Sequence, residues 1–325
     1  MIPNWKNIHS DKEVFSSFIG IDNSNFEKCL EPSFRCTNRA INAHSVQNSK
    51  ILNNLVRNGH VIGFKRTISY LDGPKLDYRL IGRNPATTFA GLCSQHDEQI
   101  FRPIEKSEIN LSNSEHLFLF AYRAAYRELH ATMASAIKLQ CAYQERIRMG
   151  LDPKNTPTNA GILATERFMI SYKTHLYKSK LDIAFSKRYF NLLTHKILVF
   201  DDMDQSTIAV CSLFSVDQII IGYDALRIHL NVLPINPKKT IVIFSFLNEN
   251  ASHAQIFLNR ILKSNGEYQR YELSKIILKS CENFVLSPSY FETWSANKKV
   301  IIMEYFEKTI LKTDITFESP ELYLF

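Results

Sequence analysis

Three cysteines and a histidine stand as two close pairs far apart along the chain, Cys29 with Cys36 and Cys93 with His96. Thiolate sulfur and imidazole nitrogen are the ligands zinc prefers, and a structural zinc site closes as a tetrahedron of four such groups. Cys29-Leu30-Glu31-Pro32-Ser33-Phe34-Arg35-Cys36 reads as a loop in which Pro32 and Ser33 turn the chain so that both sulfurs face inward. Leu92-Cys93-Ser94-Gln95-His96-Asp97 places two residues between its ligands, the common spacing where a knuckle runs into a helix. The first pair is wider, with six residues between its cysteines where two to four are customary. That width leaves a second ligand set open, in which His44 replaces Cys29. The choice matters chemically, because a histidine bound to a structural ion cannot also act as a base. A third reading has none of these residues holding a metal, since one sequence does not show that the pairs meet in space.

The remaining thiols behave differently. Cys141, Cys211 and Cys281 lie among apolar neighbours and read as small buried side chains, whereas Cys29, Cys36 and Cys93 sit in polar, loop-like stretches that favour metal over disulfide. This usage fits a reducing compartment. Met1-Ile2-Pro3-Asn4-Trp5-Lys6 lacks the apolar core and cleavage site of a secretory signal, and no apolar stretch reaches the ~18 residues of a membrane span. A cytoplasmic protein is expected. With 325 residues, 45% hydrophobic, the chain can bury a large core, and its net charge of +7 favours a polyanionic partner such as nucleic acid. The ten glycines form no phosphate-binding loop, and no nucleophile elbow is present.

The elements that must position these residues fall into three regimes. Residues 1–110 are irregular and turn-rich, with Asp72-Gly73-Pro74 and Asn84-Pro85 as turn signals around strands expected at 60–70 and 76–82, and a helix expected from Ser49 to Arg57. Residues 111–195 are helical. Ser114 is the expected N-cap of a helix that Gly150 stops, and a second helix from Thr158 to Leu193 carries Ile162, Phe168, Met169, Tyr172, Leu176, Leu181 and Phe185 as its apolar stripe. The two form an antiparallel helical hairpin. Basic Arg167, Lys173, Lys178, Lys180, Lys187 and Arg188 interleave with Tyr172, Tyr177 and Tyr189 on that helix, a pattern that suits phosphate contacts or, more simply, a solvated face.

Residues 196–325 alternate short β-branched and aromatic runs with turns. The runs at 197–200, 208–214, 228–233 and 240–244 read as strands of one sheet, followed by helices at 252–264, 268–283 and 297–311 and a last strand at Leu322-Tyr323-Leu324-Phe325. Glu282 to Pro288 reads as a capping junction, and Asp201-Asp202-Met203-Asp204 as a solvated turn.

Cys29 and Cys36, then Ala40-Ile41-Asn42-Ala43-His44-Ser45, then Leu92 to Asp97, together resemble the zinc-containing HNH, or His-Me finger, nucleases found in many bacterial restriction and phage-defence systems. The resemblance covers residues 25 to 105, about a quarter of the chain. It implies that His44 is the general base that deprotonates water, and that Asp97 holds a catalytic magnesium or manganese ion. Asn84 would then orient the histidine. Two departures accompany it. Ala43 stands where the family has a second metal ligand, and about fifty residues separate His44 from Cys93. Each residue also has a plainer reading: His44 as a zinc ligand or cap partner, Asp97 as a helix-dipole partner, and Asn84 as a turn residue.

The expected protein is α+β, with a zinc-bound, treble-clef-like N-terminal domain at 1–110, a helical hairpin at 111–195 and a mixed β-sheet domain with helices at 196–325. Its expected function is metal-dependent hydrolysis of phosphodiester bonds in bacterial anti-phage defence. The alternative is a non-catalytic zinc finger that binds nucleic acid or a partner subunit, with the hairpin as docking or homo-oligomer surface.

Overall fold

Strand pairing joins the two ends of the chain into one sheet. The computed structural model describes residues 11–71, 73–221, 224–310 and 317–325. The sheet combines an N-terminal hairpin, β2 (His60–Ser69) and β3 (Gly73–Gly82), with β5 (Leu193–Phe200), β6 (Ile208–Ile221), β7 (Asp224–Asn236), β8 (Lys239–Leu247) and β9 (Phe284–Leu286). Its order is β3-β2-β9-β6-β7-β8-β5, and every pairing is antiparallel. A separate pair, β1 (Ile41–His44) and β4 (Thr88–Leu92), belongs to the cysteine region. The molecule is thus mixed α+β with antiparallel sheets. Hydrogen bonding crosses the expected division at 110 and 195, because β2 and β3 lie in the sheet of the C-terminal part.

Both faces of the sheet are covered, which explains its nearly continuous apolar runs. Alternation sorts the side chains: Ala209, Cys211, Leu213, Ile241 and Ile243 enter one core, whereas Ile208, Val210, Val242, Phe244 and Phe246 enter the other. The first core contains Cys29, Leu30 and Cys93 together with Phe101, Phe118 and Tyr126 from α2 (Ser94–Lys106) and α3 (Ser114–Arg148). The second is covered by α5 (Ala251–Lys263), α6 (Gly266–Ser280) and α8 (Ala296–Ile310). A short helix α1 (Asp11–Asp22) lies against α3, and α7 (Pro288–Glu292) follows β9.

The long helix α4 (Asn159–Ser186) packs along α3 with opposite ends together: Gly161 meets the Tyr143 ring, and Asp182 meets Tyr122. Asn113, not Ser114, caps α3, its side chain accepting from the amides of Glu115 and His116. Helix α4 stops at Ser186, short of the expected Leu193. Arg188 takes a left-handed φ of 52°, and the amides of Arg188 and Tyr189 bond back to the carbonyls of Phe185 and Ala184. This is a Schellman stop built on arginine where glycine is usual, so the sequence hides it.

Other expectations are corrected. The helix expected from Ser49 to Arg57 is a set of turns with one 3-10 turn at Leu52–Asn54, since Ile51 and Leu52 both donate to the Gln47 carbonyl. Phe284–Leu286 is a strand in the middle of the sheet and not a capping junction; Asn283 beside it donates to Cys211 O and Ser45 Oγ. Leu322 to Phe325 form no strand and fill the second core, with the Leu324 amide donating to Ser274 Oγ. The basic residues of α4 do not share a face, because Lys178 is fully buried against Asp182 at 2.7 Å. Asp202 is paired with Arg270 at 2.6 Å. The signal-region residues 1–10 and the turn residue Asp72 lie outside the described residues.

Candidate metal centre

Cys29 and Cys36 sit at the two feet of a loop whose shape is set by a carboxylate. The Glu31 side chain is buried and accepts hydrogen bonds from the amides of Ser33, Arg35 and Cys36 at 2.8, 2.7 and 3.1 Å, and from the Ser33 hydroxyl at 2.6 Å. Burial would push this carboxyl up, but those four donors outweigh it and hold it at about 2. One ionised side chain thus folds six intervening residues into the turn that a two-residue spacing makes unaided. At the loop's tip Phe34 takes a left-handed φ of 56°, unusual for an aromatic residue, and packs edge-on against His175 of α4 with ring centroids 5.1 Å apart.

The second pair comes from the junction of β4 and α2. Cys93 occupies the N-cap position, and one helical turn brings His96 back beside it. The Cys93 amide donates to Cys29 Sγ at 3.3 Å, tying the two halves together, and the Leu30 amide donates to Gly91 O at 2.8 Å. Cys36 Sγ lies 3.8 Å from Cys93 Sγ; His96 Nδ1 lies 3.5 Å from Cys29 Sγ and 3.2 Å from Cys93 Sγ. All four ligand atoms lie within 4.8 Å of one another.

These separations exclude a disulfide between Cys36 and Cys93, whose sulfurs would lie about 2.05 Å apart. They match a zinc tetrahedron: bonds of about 2.3 Å to sulfur and 2.05 Å to nitrogen give edges of about 3.8 Å between sulfurs and 3.5 Å from sulfur to nitrogen. The donor set fits zinc. Burial pushes the Cys29 thiol up to about 11, whereas for Cys93 the bonds from His96, Cys29 and Cys36 outweigh burial and hold it at about 7. A bound ion would deprotonate both, so metal uptake releases protons.

His44 stands outside this cluster, so the ligand set with His44 in place of Cys29 is not the one that forms. It is the last residue of β1, opposite Thr88, and its Nδ1 lies 3.0 Å from Ala86 O. An N–H donated to that carbonyl fixes the tautomer and leaves Nε2 with the lone pair. Burial holds the imidazole below its ordinary value; the Ala86 bond and Glu105 oppose this, and Arg123 and Arg83 add to it. Asn84, expected to orient the ring, instead accepts from Asn48 Nδ2 at 3.3 Å. Asp97 lies in the first turn of α2, where burial, reinforced by Glu105 and opposed by Arg123, raises its carboxyl.

Two residues near His44 and Asp97 escape the sequence reading. Glu105 lies two turns beyond Asp97 on α2 and pairs with the buried Arg123 of α3 at 2.6 Å, while the Arg123 guanidinium lies 4.2 Å from the centroid of the Phe101 ring. Arg123 is the one charged residue in the run Leu117 to Tyr126, and that isolation was the available signal. Nine buried side-chain atoms among the described residues lack a protein hydrogen-bond partner, and four of them belong to Gln47 and Asn48, just after His44 in the chain, to Thr87, and to Arg123. Such groups in folded proteins are met by water or a ligand. Thr87, beside the carbonyl that holds His44, has a φ of 57°, a strained conformation for a β-branched residue and the kind concentrated at functional sites.

A catalytic cation finds less. Among the described residues the Cys29, Cys36, Cys93 and His96 group is the one set of ligands close enough to hold an ion; Ala43 offers no donor, and Arg123 already neutralises Glu105. Comparison with family models, curated proteins and solved structures returns no match.

Proposed function

We propose that this chain is a zinc-stapled, HNH-like phosphodiesterase acting on nucleic acid, of the kind that serves bacterial anti-phage defence. The support comes from the arrangement around His44. A cysteine knuckle, a strand pair and a helix, joined by four zinc-type ligands, make a treble-clef-like frame, and the histidine ends its first strand with one nitrogen held by a backbone carbonyl. A neutral imidazole fixed in this way is suited to take a proton from an attacking water. The orphaned polar atoms of Gln47, Asn48, Thr87 and Arg123 offer partners to a phosphate or its water, and the chain's charge of +7 favours that substrate class. No step is assigned to a catalytic metal. Asp97 would be its one carboxylate from the chain, with substrate oxygens completing the shell, as is common for magnesium.

His44→Ala tests this reading. The purified variant should keep one zinc per chain and its thermal stability while losing cleavage of DNA or RNA by about 100-fold or more. Unchanged cleavage would remove His44 from the chemistry, and loss of zinc would make it structural. The second reading, a non-catalytic nucleic-acid-binding finger, draws on Ala43 and on the Glu105–Arg123 pair beside the histidine. It predicts salt-sensitive binding without cleavage under any divalent ion.

A further inference from the structure

Leu181 and Phe185 of the apolar stripe of α4 enter the core, beside Tyr177 and Ala184, but the rest of the stripe faces away from it. The helix's buried side chains include Ser171, Thr174, Lys178 and Asp182, whereas Ile162, Met169, Tyr172, Leu176 and Ile183 are between 45% and 56% exposed. Leu163 and Phe168 of the same helix are exposed too, so seven of the eighteen exposed large apolar side chains among the described residues lie on this one element. Leu163 points to another side of the helix, and the remaining six side chains, about half exposed, present on the order of 500 Å² of apolar surface, comparable to the largest patch of a typical monomer.

Spacing identifies what covers it. Ile162, Met169, Tyr172, Leu176 and Ile183 follow one another at steps of seven, three, four and seven, the seam of a two-helix coiled coil. The series reads nearly the same in both directions about Tyr172. We propose that α4 is a dimerisation helix that packs antiparallel against α4 of a second copy. A two-fold axis beside Tyr172 sets Ile162 against the partner's Ile183, and Met169 against the partner's Leu176. It also brings Glu166 near the partner's Lys180, an exposed lysine that here pairs with Glu249. Lys173, which would otherwise approach its own copy at the axis, is drawn aside toward Asp224, 3.9 Å away. Two such faces bury on the order of 1,000 Å², at the lower end of specific interfaces. A closed two-fold pair also removes the whole seam from water, which a single unrelated helix would do only by chance.

Sedimentation of the full chain tests the proposal, with a mass of twice 37.6 kDa expected. Met169→Glu with Leu176→Glu places charge in the seam and should raise the dissociation constant by about 100-fold or more. Both side chains are exposed, so the far-UV spectrum and zinc content should not change. Orientation is read from cross-linking in a Cys141→Ser background, because Cys141 is exposed and not buried as its apolar neighbours in sequence suggest. Tyr172→Cys should oxidise to a covalent dimer, and Ile162→Cys should not. A wild-type chain that stays monomeric at all concentrations overturns the proposal, as does a dimer that survives the double substitution. Cross-linking through Ile162→Cys, whether or not Tyr172→Cys also cross-links, overturns the antiparallel arrangement.

Discussion

Glu31 holds the first half of the candidate metal centre without belonging to its ligand set. Its bonds to three amides fix where Cys29 and Cys36 present their sulfurs, which is the work that outer-shell partners do for metal ligands. Glu31→Gln should therefore lower zinc affinity by about 10–100-fold with all four ligands intact, measured by competition with a chelating dye. Unchanged affinity would mean that the loop is shaped by something else. Its carboxyl is held at about 2, below its unfolded value of about 4.3, so the stabilisation is complete above the unfolded value and is lost as pH falls toward 2. At this scale the sequence was legible in its ligand types and in the Cys93–His96 spacing. It was silent on Glu31, because a carboxylate accepting from amides two to five residues ahead leaves no pattern distinct from a solvated loop. The partner of His44 was equally hidden, since a backbone carbonyl has no residue type.

Among the elements, the sheet face toward α4 carries a row of polar groups across three strands. His195 Nδ1 lies 2.7 Å from Ser245 Oγ, and His229 Nε2 lies 2.9 Å from the Tyr177 hydroxyl of α4. Burial pushes both imidazoles down, to about 4 for His195 and about 3 for His229. Both values lie below the unfolded 6.5, so the histidines are neutral in both states above that pH and contribute nothing to its dependence there. Below it the unfolded chain takes up protons first, and the fold should lose on the order of 2 kcal/mol per histidine between pH 6.5 and 5. Thermal melts over that range should show the loss, and His229→Gln, which keeps a partner for Tyr177, should reduce it. A flat stability profile between those pH values would contradict the neutral, buried pair. Strand and helix types were readable from periodicity, but their boundaries and partners were less so. The three-residue strand Phe284–Leu286 pairs only with segments at least seventy residues away, and the stripe of α4 revealed an apolar side without saying what it meets.

For the molecule as a whole, the candidate metal centre shares its apolar core with the sheet and the long helices: Cys29, Cys93, Tyr122, Cys211 and Ile243 belong to one cluster. Stripping the ion with a chelator should then lower the melting temperature of a single transition seen alike by near- and far-UV signals. Two separated transitions would show that the cysteine region melts alone. No helix among the described residues is long and apolar enough to cross a membrane. The three-regime division along the chain captured composition and missed this mixing, because nothing local in β2 announces that its second partner strand lies two hundred residues later.

That partner strand has a further consequence. The two strands beside the cysteines are adjacent in space but interrupted in sequence by residues 45–87, which carry the hairpin that joins the sheet through Ile62 and Leu286. Recombination that lifted residues 29–96, with their cysteine and histidine cluster, into another gene as a cassette would tear two strands from the sheet and leave an open edge behind. The cluster and the sheet are therefore one covalently interleaved unit, and neither can be excised without cutting the other.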